Sequence, residues 1–107
     1  PDGRTASLRI GRWLVDLEKR EISTESGERL HLTPIEFRIL EILCSHAGLV
    51  VTHRQLLQQA WGPGHVDQTH YLRSYMKQLR GKIEEDPARP RHLLTETGVG
   101  YRLLIDE

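Results

Sequence analysis

QTHYLRSYMKQLRGKIEE, residues 68–85, sets its apolar side chains at helical spacing. Leu72, Met76, Leu79 and Ile83 stand at i, i+4, i+7 and i+11, one stripe of an α-helix that turns by about 100° per residue. The opposite face carries His70, Arg73, Ser74, Lys77, Gln78 and Gly81. Four Lys or Arg and no acid fall within residues 69–82. The stripe is expected to face a core. The other face then offers donors and positive charge, which phosphates and base edges accept. Gly81 would let the helix backbone come close to a partner. Taken alone, the same pattern also describes a core-packed helix whose basic face is merely solvated. The rest of the chain separates the two readings.

A chain of 107 residues is one domain with a single modest core. Its apolar content of 37% against 28% charged is ordinary for a globular domain. The formal net charge is zero, from 15 basic and 15 acidic residues, which by itself argues against a nucleic-acid binder. The distribution argues the other way. Residues 1–50 hold seven basic and eight acidic side chains, whereas residues 53–82 hold Arg54, Arg73, Lys77, Arg80 and Lys82 against Asp67 alone. A basic patch on a neutral domain is the expectation. No apolar run is long enough to span a bilayer and no signal-peptide pattern opens the chain. The single cysteine, Cys44, excludes an internal disulfide and fits a reducing cytosol. A cytoplasmic location without membrane contact is therefore expected.

Residues 1–6 lack an apolar anchor and read as a linker remnant, leaving 7–107 as the domain. Four short antiparallel strands are expected within residues 7–32. Leu8 and Ile10 flank Arg9, Trp13, Val15 and Leu17 alternate, Ile22 stands among polar residues, and Leu30 and Leu32 flank His31. Glu25-Ser26-Gly27 reads as the turn before the fourth strand. Thr33-Pro34-Ile35-Glu36 is a helix start with a capping box. Phe37, Leu40, Leu43, Cys44 and Ala47 supply its apolar stripe, and Gly48 its stop. On that stripe Cys44 reads as a buried, inert thiol.

Leu49-Val50-Val51 reads as a short strand. Thr52 with Gln55 then opens a second helix with Leu56, Leu57, Ala60 and Trp61 on its apolar side. The connection 62–68 is glycine-rich, and Asp67 or Thr69 is expected to cap the third helix. That helix should end near Asp86, before Pro87. Leu93, Leu94 and Thr95, then Tyr101, Leu103 and Leu104, flank Thr97-Gly98-Val99-Gly100 as a β-hairpin. The fold class is thus α+β: a winged helix-turn-helix with an N-terminal four-stranded antiparallel sheet, three helices and a C-terminal hairpin wing. A basic third helix in that setting can enter a major groove about 12 Å wide. The wing can reach the minor groove or the backbone.

Several segments in this order resemble the effector domain of OmpR/PhoB-family response regulators. They are Leu32-Thr33-Pro34-Ile35-Glu36-Phe37 with Leu40 and Leu43, Val51-Thr52-His53-Arg54-Gln55-Leu56 with Trp61, Leu79-Arg80-Gly81-Lys82-Ile83, and Gly98-Val99-Gly100-Tyr101-Arg102. The likeness covers nearly all of residues 7–105. Three further segments, at 70–73, 85–92 and 95–98, resemble more narrowly the members that regulate potassium-uptake operons. The resemblance implies DNA contacts at Trp61, His70, Tyr71, Ser74, Tyr75, Lys77, Gln78, Arg80, Thr95, Thr97 and Tyr101. Helical geometry independently selects His70, Ser74, Lys77 and Gln78, and adds Arg73. Trp61 and Tyr101 can equally serve the core, with an indole N–H or a phenol left over for phosphate. Thr97 departs from the family, which often carries a minor-groove arginine there. Gln78 stands where some relatives carry a guanine-reading arginine, and glutamine pairs naturally with adenine.

The resemblance further implies sequence-specific double-stranded DNA binding that controls transcription, homodimerisation on DNA, and an N-terminal receiver domain. It implies contact with RNA polymerase through Gly62, Pro63, Gly64, His65, Val66, Asp67 and Gln68. No catalysis and no cofactor is expected, since the six histidines show no paired ligand spacing and no triad or carboxylate pair is apparent. The rival from another class is a winged-helix module whose third helix binds protein instead of DNA. The cationic run at residues 69–82 disfavours it.

Overall fold

A computed structural model describes residues 7–65 and 67–106, so the linker reading of residues 1–6 and the assignment of Val66 lie outside the described residues. Two sheets flank three helices. Strands β1 (Ser7–Ile10), β2 (Trp13–Asp16), β3 (Glu21–Ser23) and β4 (Arg29–Leu30) form an antiparallel sheet in the order β1-β2-β3-β4. Alternation decides which side faces inward: Trp13 and Val15 are buried while Leu14 and Asp16, which alternate with them, are half-buried. The fourth strand stops at Leu30, short of the expected Leu32. The turn before it is closed by Gly27 at φ +97°, whose N–H reaches the Thr24 carbonyl at 3.0 Å.

Helix α1 (Pro34–Ser45) begins with the expected capping box, the Thr33 hydroxyl accepting from the Glu36 amide and the Glu36 carboxylate from the Thr33 amide. Its buried surface is wider than the expected stripe: Ile39 and Ile42 join Phe37, Leu40, Leu43 and Cys44, because the helix is covered from several sides. Ala47 lies beyond its end. A short strand β5 (Val50–Thr52) leads into helix α2 (His53–Ala60), whose N-terminus is closed by a second capping box from Thr52 and Gln55. Helix α3 (Thr69–Ile83) follows a single 3-10 turn at Pro63–His65.

Both ends of α3 differ from expectation. Gln68 occupies the N-cap and makes no side-chain cap bond, so neither Asp67 nor Thr69 has the capping role. The Tyr71 amide instead bonds the Gln68 carbonyl at 3.1 Å, a tightened first turn. At the other end the helix stops at Ile83, before Asp86, because Glu84 turns to an extended backbone and sends its side chain inward. The wing is β6 (Leu93–Glu96) paired with β7 (Gly100–Leu103). The sequence pattern left β5 without a partner. In the fold it pairs with β7, making a second sheet in the order β5-β7-β6. The core joins residues of all three helices to the inner faces of both sheets.

Candidate nucleic-acid interface

The side chains at i, i+4, i+7 and i+11 of α3 anchor the surface. Leu72, Met76 and Leu79 are fully buried and Ile83 nearly so. That burial fixes the rotation of the helix, and the other side follows from it. His70, Tyr71, Arg73, Ser74, Lys77, Gln78 and Gly81 are all exposed. Among the described residues neither Arg73 nor Lys77 has a carboxylate within 4.0 Å. Several arginines elsewhere are matched: Arg9 with Glu25, Arg12 with Glu28 and Arg29 with Glu21, each at 3.5–3.6 Å. Gly81 has no neighbour within 4 Å of where a Cβ would stand, so the face is open there.

The aromatic residues divide between support and surface. Tyr71 is exposed and its ring lies 4.5 Å from that of His70, tilted by 44°, at the helix start. Tyr75 is half-buried, its ring tilted against Trp61 at 5.3 Å, and both pack on the core. Tyr101 is only 3% exposed. Burial pushes its hydroxyl above the ordinary value of 10.0 against the opposing charges of Arg80 and Arg73, so it stays protonated. Its ring meets His53 edge-on at 5.5 Å and carries the Arg80 guanidinium at 5.7 Å. Packing, not exposure, describes Tyr101 in this structure.

Arg80 is half-buried and already engaged. Its Nε donates to the Leu93 carbonyl at 2.8 Å and a terminal nitrogen to the Thr95 hydroxyl at 2.6 Å. Thr95 and Thr97 are exposed on the wing, with Gly98 at φ +77° forming the tip. The structure thus gathers His70, Tyr71, Arg73, Ser74, Lys77 and Gln78 on one open face. Thr95 and Thr97 lie on the adjoining wing, with Trp61, Tyr75 and Tyr101 as supports. In the connection 62–68, Pro63, Gly64 and Asp67 are exposed and the described remainder is half-buried.

Two buried carboxylates hold this surface through distant contacts that the sequence does not mark. Glu36 is 1% exposed and bonds Lys82 Nζ at 2.6 Å, tying the start of α1 to the end of α3. Glu84, 7% exposed, accepts from three backbone amides leading into β6. The capping box marked Glu36 but not its distant partner, and nothing local marks Glu84. Burial together with the Glu41 charge pushes the Cys44 thiol up to about 12, which leaves it unreactive. Among the described residues no three His, Cys, Asp or Glu side chains converge on a common point.

A groove-sized helix held behind by a packed stripe, a preceding helix and a following hairpin define a winged helix-turn-helix domain. The family described as "Transcriptional regulatory protein, C terminal" matches residues 27–103. The chain belongs to this family, and within it to the OmpR/PhoB type. It is 58% identical over 91 residues to the KDP operon transcriptional regulatory protein KdpE of Escherichia coli, a match covering 85% of this chain and 40% of that protein. The chain therefore spans about two fifths of the length of that relative. The response regulator DrrB of Thermotoga maritima, an OmpR/PhoB homologue, superposes with a TM-score of 0.75 at 35% identity, covering 92% of this chain and 44% of DrrB. The DNA-binding domain of Klebsiella pneumoniae RstA, solved in complex with the RstA box, gives a TM-score of 0.79 at 22% identity. That superposition covers 92% of this chain and 96% of the RstA domain and shows the shared fold.

Proposed function

We propose that this domain binds double-stranded DNA by sequence and is the output domain of a two-component regulator of transcription. The observation that carries the reading is the open face of α3, where Arg73 and Lys77 have no carboxylate within 4.0 Å among the described residues and share the face with His70, Ser74 and Gln78. Cations on such a face exchange condensed counterions for phosphate contacts, and the neutral donors and acceptors between them read base edges. The wing, with Thr97 where an arginine would probe deeper, meets backbone.

The whole protein, on this reading, carries a receiver domain ahead of the present chain, acts in the cytoplasm, and binds DNA as a homodimer. Likeness to a KDP operon regulator supports control of a potassium-uptake operon. Selection of bound sequences from random duplexes, repeated at two salt concentrations, tests the reading. A recovered consensus with affinity that falls steeply with salt is expected. Salt-independent binding without a consensus would overturn it in favour of a protein-binding surface.

The connection between α2 and α3 is assigned to RNA polymerase, because it lies beside the DNA-facing helix without belonging to its face and exposes Pro63, Gly64 and Asp67, with His65 half-buried. In the full-length regulator, His65→Ala or Asp67→Ala is expected to reduce promoter-driven transcription while promoter affinity stays intact. Equal loss of both would remove the assignment.

A further inference from the structure

The wing is fastened to the recognition helix by side chains of the helix itself. Glu84 ends α3, and a buried carboxylate is costly unless its oxygens are satisfied. Here Oε1 accepts from the Arg91 amide at 2.9 Å, and Oε2 from the amides of His92 at 2.9 Å and Leu93 at 2.7 Å. The excursion 85–90 is thereby pinched at its base. One turn earlier, Arg80 takes the Leu93 carbonyl and the Thr95 hydroxyl. Leu93 therefore has its N–H and its C=O both held by α3. Strand β6 lies at the edge of its sheet, so these side chains stand where a further strand would otherwise pair.

We propose that Arg80 and Glu84 are positioning residues that lock the wing to α3 and so set the distance between the groove read by the helix and the backbone met by the wing. The inference rests on the DNA-binding reading above. It gives Arg80 a role besides any phosphate contact: its planar fork spans two acceptors on β6, which an ammonium cannot do in the same geometry. Glu84 touches no DNA and acts through Leu93 and the strand that begins there.

The test uses two variants of the domain and two readouts. Glu84→Gln keeps the shape but turns one acceptor oxygen into a donor facing the amides of this strand. Amide hydrogen exchange without DNA should speed up on the order of tenfold at Arg91, His92 or Leu93, with the α1 amides unchanged. Hydroxyl-radical footprints on the selected site should lose protection of the wing-side phosphates while the groove read by α3 stays protected. Arg80→Lys, which keeps the charge and covers the case that Glu84→Gln does not fold, should lose the same wing-side protection. Unchanged exchange in Glu84→Gln, or wing-side protection retained in Arg80→Lys, would overturn the proposal. If the unaltered domain leaves no footprint, the DNA-binding reading fails instead, and the exchange measurement still decides whether the lock exists.

Discussion

At the scale of single residues, Gly100 and Gln78 show opposite demands. Gly100 pairs with Thr52 across β5 and β7, and a Cβ added there would stand 2.0 Å from the Val51 carbonyl oxygen and 2.7 Å from Thr52 Cα. Neither atom is the free end of a side chain, so the strands must part. Gly100→Ala is expected to cost about 2 kcal/mol or more of stability, measured by urea unfolding; an unchanged midpoint would show that the sheet gives way freely. Gln78 has no such constraint. It is exposed on α3, and alanine there is a good helix former, so Gln78→Ala should fold normally and keep its non-specific affinity. It should lose preference at one base pair, worth about 1–3 kcal/mol if the amide makes a bidentate pair with adenine. Affinities for every single-base variant of the preferred site decide this, and identical profiles would leave Arg73 and His70 as readers. The exposure of Gln78 was legible in the sequence, because helical period alone places it away from Leu79 and Met76. The need for glycine at 100 was not, because it arises from a strand that pairs across almost fifty residues of chain.

At the scale of elements, the capping boxes of α1 and α2 and the apolar stripe of α3 could be read locally, and each appears where expected. What could not be read is how elements end against one another. The C-terminus of α3 is set by Glu84 reaching the amides before β6, and its attachment to α1 by Lys82 reaching Glu36. The Glu36–Lys82 bond has a pH signature. Burial pushes the Glu36 carboxyl up, but the Lys82 ammonium and the Thr33 amide outweigh it, so its pKa lies below the ordinary 4.5. A depressed folded-state value means the stabilisation is present above pH 4.5 and is lost as pH falls through the lower folded value. Glu36→Gln is expected to weaken this bond, costing about 1–3 kcal/mol at neutral pH. It should also flatten the fall of stability below pH 4.5 relative to the parent. Thermal melts across that range check it, and parallel curves for the two proteins would assign the acid sensitivity to other carboxylates.

At the scale of the whole molecule, a formal net charge of zero conceals a segregation that follows from the fold. On the N-terminal sheet and around α1, arginines sit beside glutamates: Arg29 with Glu21 at 3.6 Å, Arg9 with Glu25 at 3.6 Å, and Arg38 with Glu41 at 3.1 Å. Such exposed pairs contribute little stability, yet they cancel the field of that half of the molecule. Arg73 and Lys77 on α3 have no carboxylate within 4.0 Å among the described residues, so both add positive potential to the helix face that a polyanion would meet. Salt dependence turns this into a measurement, because each cation that neutralises a phosphate adds about 0.9 to the slope of log affinity against log salt. Lys77→Ala should lower the slope by roughly one unit and weaken all duplex sequences about equally. Arg29→Ala removes the same charge from the paired sheet and should leave the slope as it is. Titrations of both variants against one duplex at several salt concentrations compare position at constant net charge. Equal slopes for the two would mean that overall charge, and not the α3 face, draws the DNA, and the assignment of Lys77 to a phosphate would fall with it.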